Sequence, residues 1–189
     1  MKKIITAAFL LFSISSFSQQ VIAEEEDIPK RDILKNELSI GAFNLVVLGA
    51  LDLAYERIIT PNSSWAVEAF VLALDREEEY ASDFYGKDFS LTGKYKYFFG
   101  ERTAWGFYVN GLAMISAGEY DQRVMRSEGW YDYEPENYAD FALGFGLGGK
   151  FVSKQGFFLD LSTGIGRNLF NNNSPTIVGQ FNVNLGFRF

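Results

Sequence analysis

The chain has 189 residues, with 24 acidic and 17 basic side chains that give a formal net charge of −7 at pH 7. This charge argues against nucleic acid as a partner. The sequence contains neither cysteine nor histidine. It therefore excludes disulfides, a Ser-His-Asp or Cys-His catalytic centre and a histidine-containing zinc site. We expect a protein that is not an enzyme and that needs no cofactor.

The first residues have the pattern of a cleaved export signal. Met1-Lys2-Lys3 is a short positive segment, Ile4–Ile14 is apolar, and small residues follow at Ser16-Phe17-Ser18. A second small-residue site ends at Ala23, so cleavage there stays open, and a buried N-terminal helix is the alternative to a signal. We predict three regions: a signal peptide over 1–18, an acidic N-terminal segment over 19–35 and a folded domain over 36–189.

Apolar content and hydropathy disagree in a way that favours strands over helices. Hydrophobic residues make up 48% of the chain and aromatic residues 17%, yet the mean hydropathy is −0.03. Beyond the signal, no stretch holds the roughly 18 apolar residues of a membrane helix, and the nearest one, Leu38–Leu51, contains Ser39 and Asn44. Alternating strands hide their hydrophobicity from such averages, so a membrane barrel reconciles the two observations.

Turn signals divide residues 36–189 into segments with alternating short and long connections. The short connections are 60–63, 100–103 and 153–156, and the long ones are 75–88, 119–138 and 168–175. This order is typical of a transmembrane barrel. We predict an all-β, antiparallel, up-and-down transmembrane β-barrel of about eight strands: 37–47, 50–59, 64–74, 89–99, 104–117, 139–152, 157–168 and 176–189. Only Leu48-Gly49 separates the first two strands, and the even count fails if they are one.

One parity of the third to eighth predicted strands is mainly apolar. In the third strand, for example, Trp65, Val67 and Val71 share a face, and we expect this parity to face lipid. Six aromatic residues of this parity lie beside a short turn or the last residue: Trp65, Phe99, Trp105, Phe151, Phe157 and Phe189. They predict a belt of aromatic side chains at the inner interface of the membrane. The core of a soluble barrel is the alternative, but it would not collect aromatic residues at one end.

Seven charged residues lie on the opposite parity, each in the half of its strand nearest a short turn or the last residue. We predict that they meet in one layer inside the barrel, three acids with four bases: Glu56, Glu68, Lys94, Lys96, Lys150, Asp160 and Arg188. Because isolated buried charges are costly and an eight-stranded bore admits only side chains, this layer predicts an ion-paired plug. A selective polar conduit is the alternative. Gly144, Gly146 and Gly148 lie on the same parity, where they could leave local space.

The long connections are acidic and aromatic. Candidate contacts with an external partner are Tyr85, Trp130, Tyr131 and Tyr133, and the carboxylates suggest Ca²⁺ or Mg²⁺ bridged to lipopolysaccharide phosphates. A solvated rim is the plainer interpretation and ranks first, since no EF-hand spacing is present. Acid pairs within 132–136 could in principle support catalysis, but they lie in a predicted loop.

The last strand resembles the C-terminal strand by which outer-membrane barrels are recognised during assembly, with Phe187 and Phe189 as the assembly signal. Taken whole, residues 36–189 resemble small outer-membrane β-barrel proteins of the OmpX and OmpA transmembrane-domain size class. The segment Leu51-Asp-Leu-Ala-Tyr-Glu-Arg57 is similar to a strand of uncharacterised short barrels of Bacteroidota type. The resemblance implies location in the bacterial outer membrane, contact with membrane lipid and lipopolysaccharide, and biogenesis through periplasmic chaperones and the barrel-assembly machinery.

Two classes of function follow from these observations. The first is a structural or surface-interaction protein with a plugged lumen, whose external loop ligand the sequence does not identify. The alternative is a narrow transport channel, or a lipocalin-like binder of small apolar molecules. The lipocalin Gly-x-Trp signature is missing from the first predicted strand, which favours the first class.

Overall fold

The computed structural model describes residues 34–72, 87–125, 131–170 and 174–189, with backbone alone for 120–125 and 131–135. The predicted signal peptide, and all but the last two residues of the acidic segment, lie outside these ranges. The described part of the chain forms eight strands: β1 Asn36–Gly41, β2 Ala50–Thr60, β3 Ser63–Leu72, β4 Phe89–Phe98, β5 Gly106–Met125, β6 Tyr131–Val152, β7 Phe157–Asn168 and β8 Ile177–Arg188.

The strands close into a barrel in which each pairs antiparallel with its sequence neighbours, and β8 pairs with β1. The prediction of an all-β, up-and-down, eight-stranded antiparallel barrel is therefore confirmed. Short connections between β2 and β3, β4 and β5, and β6 and β7 lie at the end of the barrel where β1 begins and β8 ends. We call this the short-turn end and the opposite end the long-loop end.

The strands are strongly tilted. Following strand partners once around the barrel from Glu37 leads to Val178 on β8, whereas Glu37 itself pairs with Arg188, ten residues further along (188 against 178). A stagger of this size in eight strands corresponds to a tilt of roughly 40° and an interior just wide enough for side chains. Residues that face inward on different strands are thereby brought into contact.

The barrel is polar inside and apolar outside. In the described part of the chain, 22 buried residues are polar or charged against 14 buried hydrophobic ones, while 33 large hydrophobic side chains are exposed. This is the reverse of a water-soluble protein, in which charged residues are rarely buried. Strict alternation along each strand produces the pattern, as in β4, where exposed and buried residues alternate over its whole length.

The first predicted strand ends earlier than expected. β1 stops at Gly41, and a helix with a π-helical segment, Asn44–Leu48, occupies the rest of the predicted span 37–47. Two inward contacts stabilise the helix, one through a polar side chain and one through an apolar side chain. Asn44 Nδ2 donates to Asp52 Oδ2 at 2.6 Å, and Leu48 packs with buried Phe70. Gly49, with φ of 67°, then ends the helix in the left-handed conformation that glycine adopts readily.

The predicted loop 119–138 is wrong over most of its length. β5 and β6 continue through it as a hairpin, whose last paired residues are Met125 and Tyr131. On the barrel side, β4 pairs with β5 only up to Ala117, and β7 pairs with β6 only up to Ala142. In the part of the chain that the structure describes, the hairpin therefore continues beyond these pairings as a two-stranded ribbon. Among the described residues, no helix is long and apolar enough to cross a membrane.

Candidate functional site in the barrel lumen

The seven predicted inward charges all lie on the inner wall. Six of them are buried and Arg188 is largely so. They come from β2, β3, β4, β6, β7 and β8, and they form two clusters where the sequence predicted one layer. The lower cluster, nearest the short-turn end, contains Glu37, Glu56, Lys96, Lys150, Asp160 and Arg188. The upper pair is Lys94 with Glu68.

Lys150 occupies the centre of the lower cluster and is 0% exposed. Its Nζ donates to Glu37 Oε2 and to Glu56 Oε1, both at 2.6 Å, and lies 3.8 Å from Asp160 Oδ2. A buried ammonium is stable only when such acceptors replace its hydration shell. Lys150 therefore ties together β6, β1, β2 and β7 across the lumen.

Lys96 closes the same cluster from β4. Its Nζ donates at 2.7 Å both to Glu56 Oε2 and to Asp160 Oδ2. Two neutral groups satisfy further carboxylate oxygens: Tyr108 Oη donates to Asp160 Oδ1 at 2.6 Å, and Ser64 Oγ donates to Glu56 Oε1 at 2.7 Å. Each carboxylate is thus held by several donors, and these bonds fix its orientation.

Glu37 also belongs to the lower cluster, although it is not among the seven predicted charges, and it is 1% exposed. It accepts from Arg188 Nε at 2.6 Å and from Lys150, and Arg188 also donates to the backbone oxygens of Thr103 and Ala104 at 3.0 Å. With Glu37 included, the lower cluster has three acids and three bases. The imbalance of three acids against four bases in the predicted layer was the signal that an acid was missing.

Apolar side chains form a floor beneath the lower cluster. Ile58, Phe98, Ala104 and Tyr108 pack together at the short-turn end. Lys150 Nζ lies 5.5 Å from the centre of the Phe98 ring and 5.1 Å from that of Phe158, within the range of cation–π attraction. The floor excludes water from the ion pairs, so each pair is screened less than at a surface.

The upper pair lies two residues further from the short turns than its neighbours in the lower cluster. Lys94 Nζ and Glu68 Oε2 are 2.7 Å apart, and Asn182 Nδ2 donates to the same oxygen at 2.8 Å. Nearer the long-loop end, Lys87 Nζ contacts Met114 Sδ at 3.8 Å and the Phe70 ring at 5.1 Å. Burial lowers the pKa of Lys87 to about 8, although Glu68 and Asp52 act in the opposite direction.

The space beside the inward glycines of β6 is already occupied by neighbouring atoms. A Cβ on Gly148 would lie 2.5 Å from Tyr108 Cζ and 2.6 Å from Leu161 O, and one on Gly146 would lie 2.5 Å from Thr163 O. The expectation of local space beside the plug is therefore wrong. These glycines let the backbones of β6 and β7 and the Tyr108 ring approach closely, which positions the Tyr108 hydroxyl on Asp160.

The other predicted site residues are less completely described. Tyr85 and Trp130 lie outside the described residues, and Tyr131 and Tyr133 belong to β6 without described side chains. Phe187 and Phe189 are exposed on the outer wall, and the Phe187 ring lies 5.2 Å from that of Phe157. Within the described ranges, no cluster of three or more acidic side chains could hold a metal ion. The predicted Ca²⁺ or Mg²⁺ site falls largely on residues outside them.

No family model matches the chain, and no curated protein matches it. Among solved structures, it is similar to the crystal structure of the N-terminal β-barrel domain of Pseudomonas aeruginosa OprF. The sequences are 13% identical, the match covers 83% of this chain and 98% of that one, and the TM-score is 0.46.

Proposed function

We propose that the chain is an integral, non-enzymatic outer-membrane β-barrel protein whose lumen is closed by the two charge clusters. The observation that carries this proposal is the inverted distribution of polarity, with ion pairs buried inside the barrel and large apolar side chains exposed around it. A closed barrel is one of the two folds that satisfy every backbone polar group within lipid. Its apolar wall would be unfavourable in water.

The dimensions of the wall support a membrane-spanning role. On β6 the outward residues from Phe141 to Phe151 include Leu143, Phe145 and Leu147, each at least 49% exposed. Ten residues at 3.3–3.4 Å and a tilt of roughly 40° span about 25 Å, the height of the apolar band of such barrels.

A belt of aromatic side chains lies on the outer wall at the short-turn end. Its contacts include Tyr55 with Trp65 at 5.8 Å and Trp105 with Phe151 at 6.0 Å between ring centroids. Amphipathic aromatic side chains prefer the headgroup level of a bilayer. We place this aromatic belt at the periplasmic interface and the long β5–β6 hairpin on the cell exterior.

The charge clusters favour a closed lumen over the alternative of a narrow channel. Lys150 and Lys96 join the inner faces of β1, β2, β4, β6 and β7 through short ion pairs above an apolar floor. An ion could pass only if several of these pairs separated together. Purified protein in planar bilayers should give no stable conductance steps, and reproducible steps would favour the channel.

The lipocalin-like alternative requires an apolar interior and a polar exterior, which is the opposite arrangement. The remaining role is structural, or surface interaction through the β5–β6 hairpin and the long loops, with lipopolysaccharide as neighbour. Assembly through periplasmic chaperones and the barrel-assembly machinery, with Phe187 and Phe189 as the recognised residues, belongs to this proposal. The exposure of Phe187 on β8, and of Phe189 directly after it, supports this part of the proposal.

Fractionation combined with heating tests the proposal. The full chain, expressed in a Gram-negative host, should be recovered in the outer-membrane fraction and should migrate differently on a denaturing gel before and after boiling. A closed barrel has no unpaired strand edge at which detergent could begin to separate the strands, so it stays folded until it is heated. Soluble periplasmic protein without a heat-dependent shift would overturn the membrane assignment.

A further inference from the structure

The outer wall carries an apolar groove across the junction of β8 and β1. Its volume is about 840 Å³, within the roughly 300–1,000 Å³ of small-molecule sites, and a second concavity on β5 to β8 has about 350 Å³. We name the larger one, at the junction of β8 and β1, the seam groove. Its lining includes Leu38, Leu53, Val67, Ala69, Leu185 and Phe187, and no lining residue is charged.

A cation, Arg57, lies on the outer wall below this groove. Arg57 follows Leu53 and Tyr55 on the outward parity of β2 and is exposed. It pairs across the sheet with Trp65, whose ring contacts that of Tyr55 at 5.8 Å. In the half of the described strands nearest the short turns, every other charged residue faces inward. Arg57 therefore lies at the level of the aromatic belt, directly below the uncharged surface of the groove.

We propose that the seam groove binds a glycerophospholipid of the inner leaflet, with its acyl chains along the groove and its phosphate on Arg57. The pairing is chemically complementary, because guanidinium donors match phosphate oxygens in a bidentate manner. The depth is consistent as well, since Arg57 lies at the end of the wall that we place at the periplasmic interface. The inference rests on the proposed membrane location.

The site also lies where the barrel closes. β1 is six residues long, and its pairing with β8 spans Glu37–Gly41 against Asn184–Arg188. Nine of the thirteen groove residues come from these two strands and from β2, so a bound lipid contacts both sides of the junction. Retention of this lipid should therefore depend on the shape of the groove as well as on Arg57.

Native mass spectrometry of the detergent-solubilised full chain, titrated with phosphatidylglycerol, phosphatidylethanolamine or diacylglycerol, tests the proposal. The wild type should retain both phospholipids but not diacylglycerol, which lacks the phosphate. Arg57→Gln should weaken phospholipid retention about tenfold. Ala69→Trp should abolish it by filling the groove.

Ala113→Trp is the matched control. Ala113 faces outward on β5, half a turn around the barrel from β1, and its substitution should leave retention unchanged. Equal loss in the two tryptophan variants, or retention of diacylglycerol as strong as that of phospholipid, would overturn the lipid site. Each variant is also run boiled and unboiled. A normal heat shift with no retained lipid rejects this site alone, whereas loss of the shift in the wild type rejects the membrane barrel itself.

Discussion

Lys150 shows how a charge is kept inside this barrel. Its ammonium is fully buried, yet two carboxylate oxygens lie 2.6 Å away and two aromatic rings lie within 5.5 Å. Removal of one member of a buried ion pair is more damaging than replacement of the whole pair, because the partner is left charged and unpaired. The lower cluster should therefore behave as a unit.

We expect Lys150→Met to lower the free energy of unfolding by about 3–5 kcal/mol, since it leaves Glu37 and Glu56 short of a donor. Urea unfolding of the barrel refolded in lipid vesicles measures this difference. The control is Lys154→Met in the exposed turn before β7, which should stay within about 0.5 kcal/mol of the wild type. Equal effects of the two substitutions would show that the buried cluster contributes no more than a surface charge.

Parity alone places the seven predicted charges on the inner wall, because a strand alternates its side chains strictly. The partners of those charges depend on strand stagger, which sequence does not provide. Lys96 reaches Asp160 across 64 residues, and the stagger separates Lys94 and Glu68 from the lower cluster. Glu37 was missed because the predicted strand 37–47 runs on into a helix, Asn44–Leu48, whose residues do not share the parity of β1.

Inward glycines on β6 allow a close approach of the β7 backbone and of the Tyr108 ring. Gly148 lies beneath the Tyr108 ring, and a methyl group there would meet both that ring and the backbone of β7. Overpacking of this kind displaces neighbours and destabilises a folded protein. The hydrogen bond from Tyr108 to Asp160 would be disturbed with it.

Gly148→Ala should destabilise the barrel by about 1–3 kcal/mol, seen as a lower temperature for loss of the fast-migrating folded band on a gel. Gly111→Ala is a matched substitution on β5, where an added Cβ would meet nothing within 4 Å. It should leave that temperature unchanged or slightly higher. A tolerated Gly148→Ala would mean that Tyr108 does not need its present position.

The β5–β6 hairpin should be dispensable for closure of the barrel. Replacing Asp121–Pro135 with Asn-Gly joins Tyr120 to Glu136, which are paired across the strands, through a favoured two-residue turn. We expect the heat-dependent gel shift to be kept. The same turn placed between Leu112 and Gly144 removes residues that pair with β4 and β7 and should abolish the shift. Loss of the shift in the first variant would contradict an independent hairpin.

The elements that sequence analysis missed are those whose local signals point elsewhere. Pro135 and a run of acids made 119–138 look like a loop, but proline is tolerated at a strand edge, and among the described residues no third strand pairs with β6 at Pro135. The helix after β1 carries apolar Leu45, Val46 and Val47, which resemble a strand. The contact from Asn44 to Asp52 that fixes it is visible only in three dimensions.

For the whole molecule, the inversion of polarity is the central feature. Short-turn order, the apolar parity and the inward charges are all local patterns, so the eight-stranded barrel could be predicted from them. What the exposed wall contacts cannot be read from the strands alone. A soluble barrel with this wall would expose 33 large hydrophobic side chains in the described residues, far beyond the scattered apolar surface of a soluble monomer.

Water accessibility of Phe145 tests this feature most directly. Phe145 is 70% exposed in the middle of the β6 wall, and the chain has no native cysteine. In outer-membrane vesicles, the thiol of Phe145→Cys should not react with a water-soluble maleimide, because lipid covers it. The thiol of Lys154→Cys in the short turn should react readily once the vesicles are opened. Rapid labelling of Phe145→Cys, equal to that of Lys154→Cys, would show that the wall faces water and would contradict the membrane barrel.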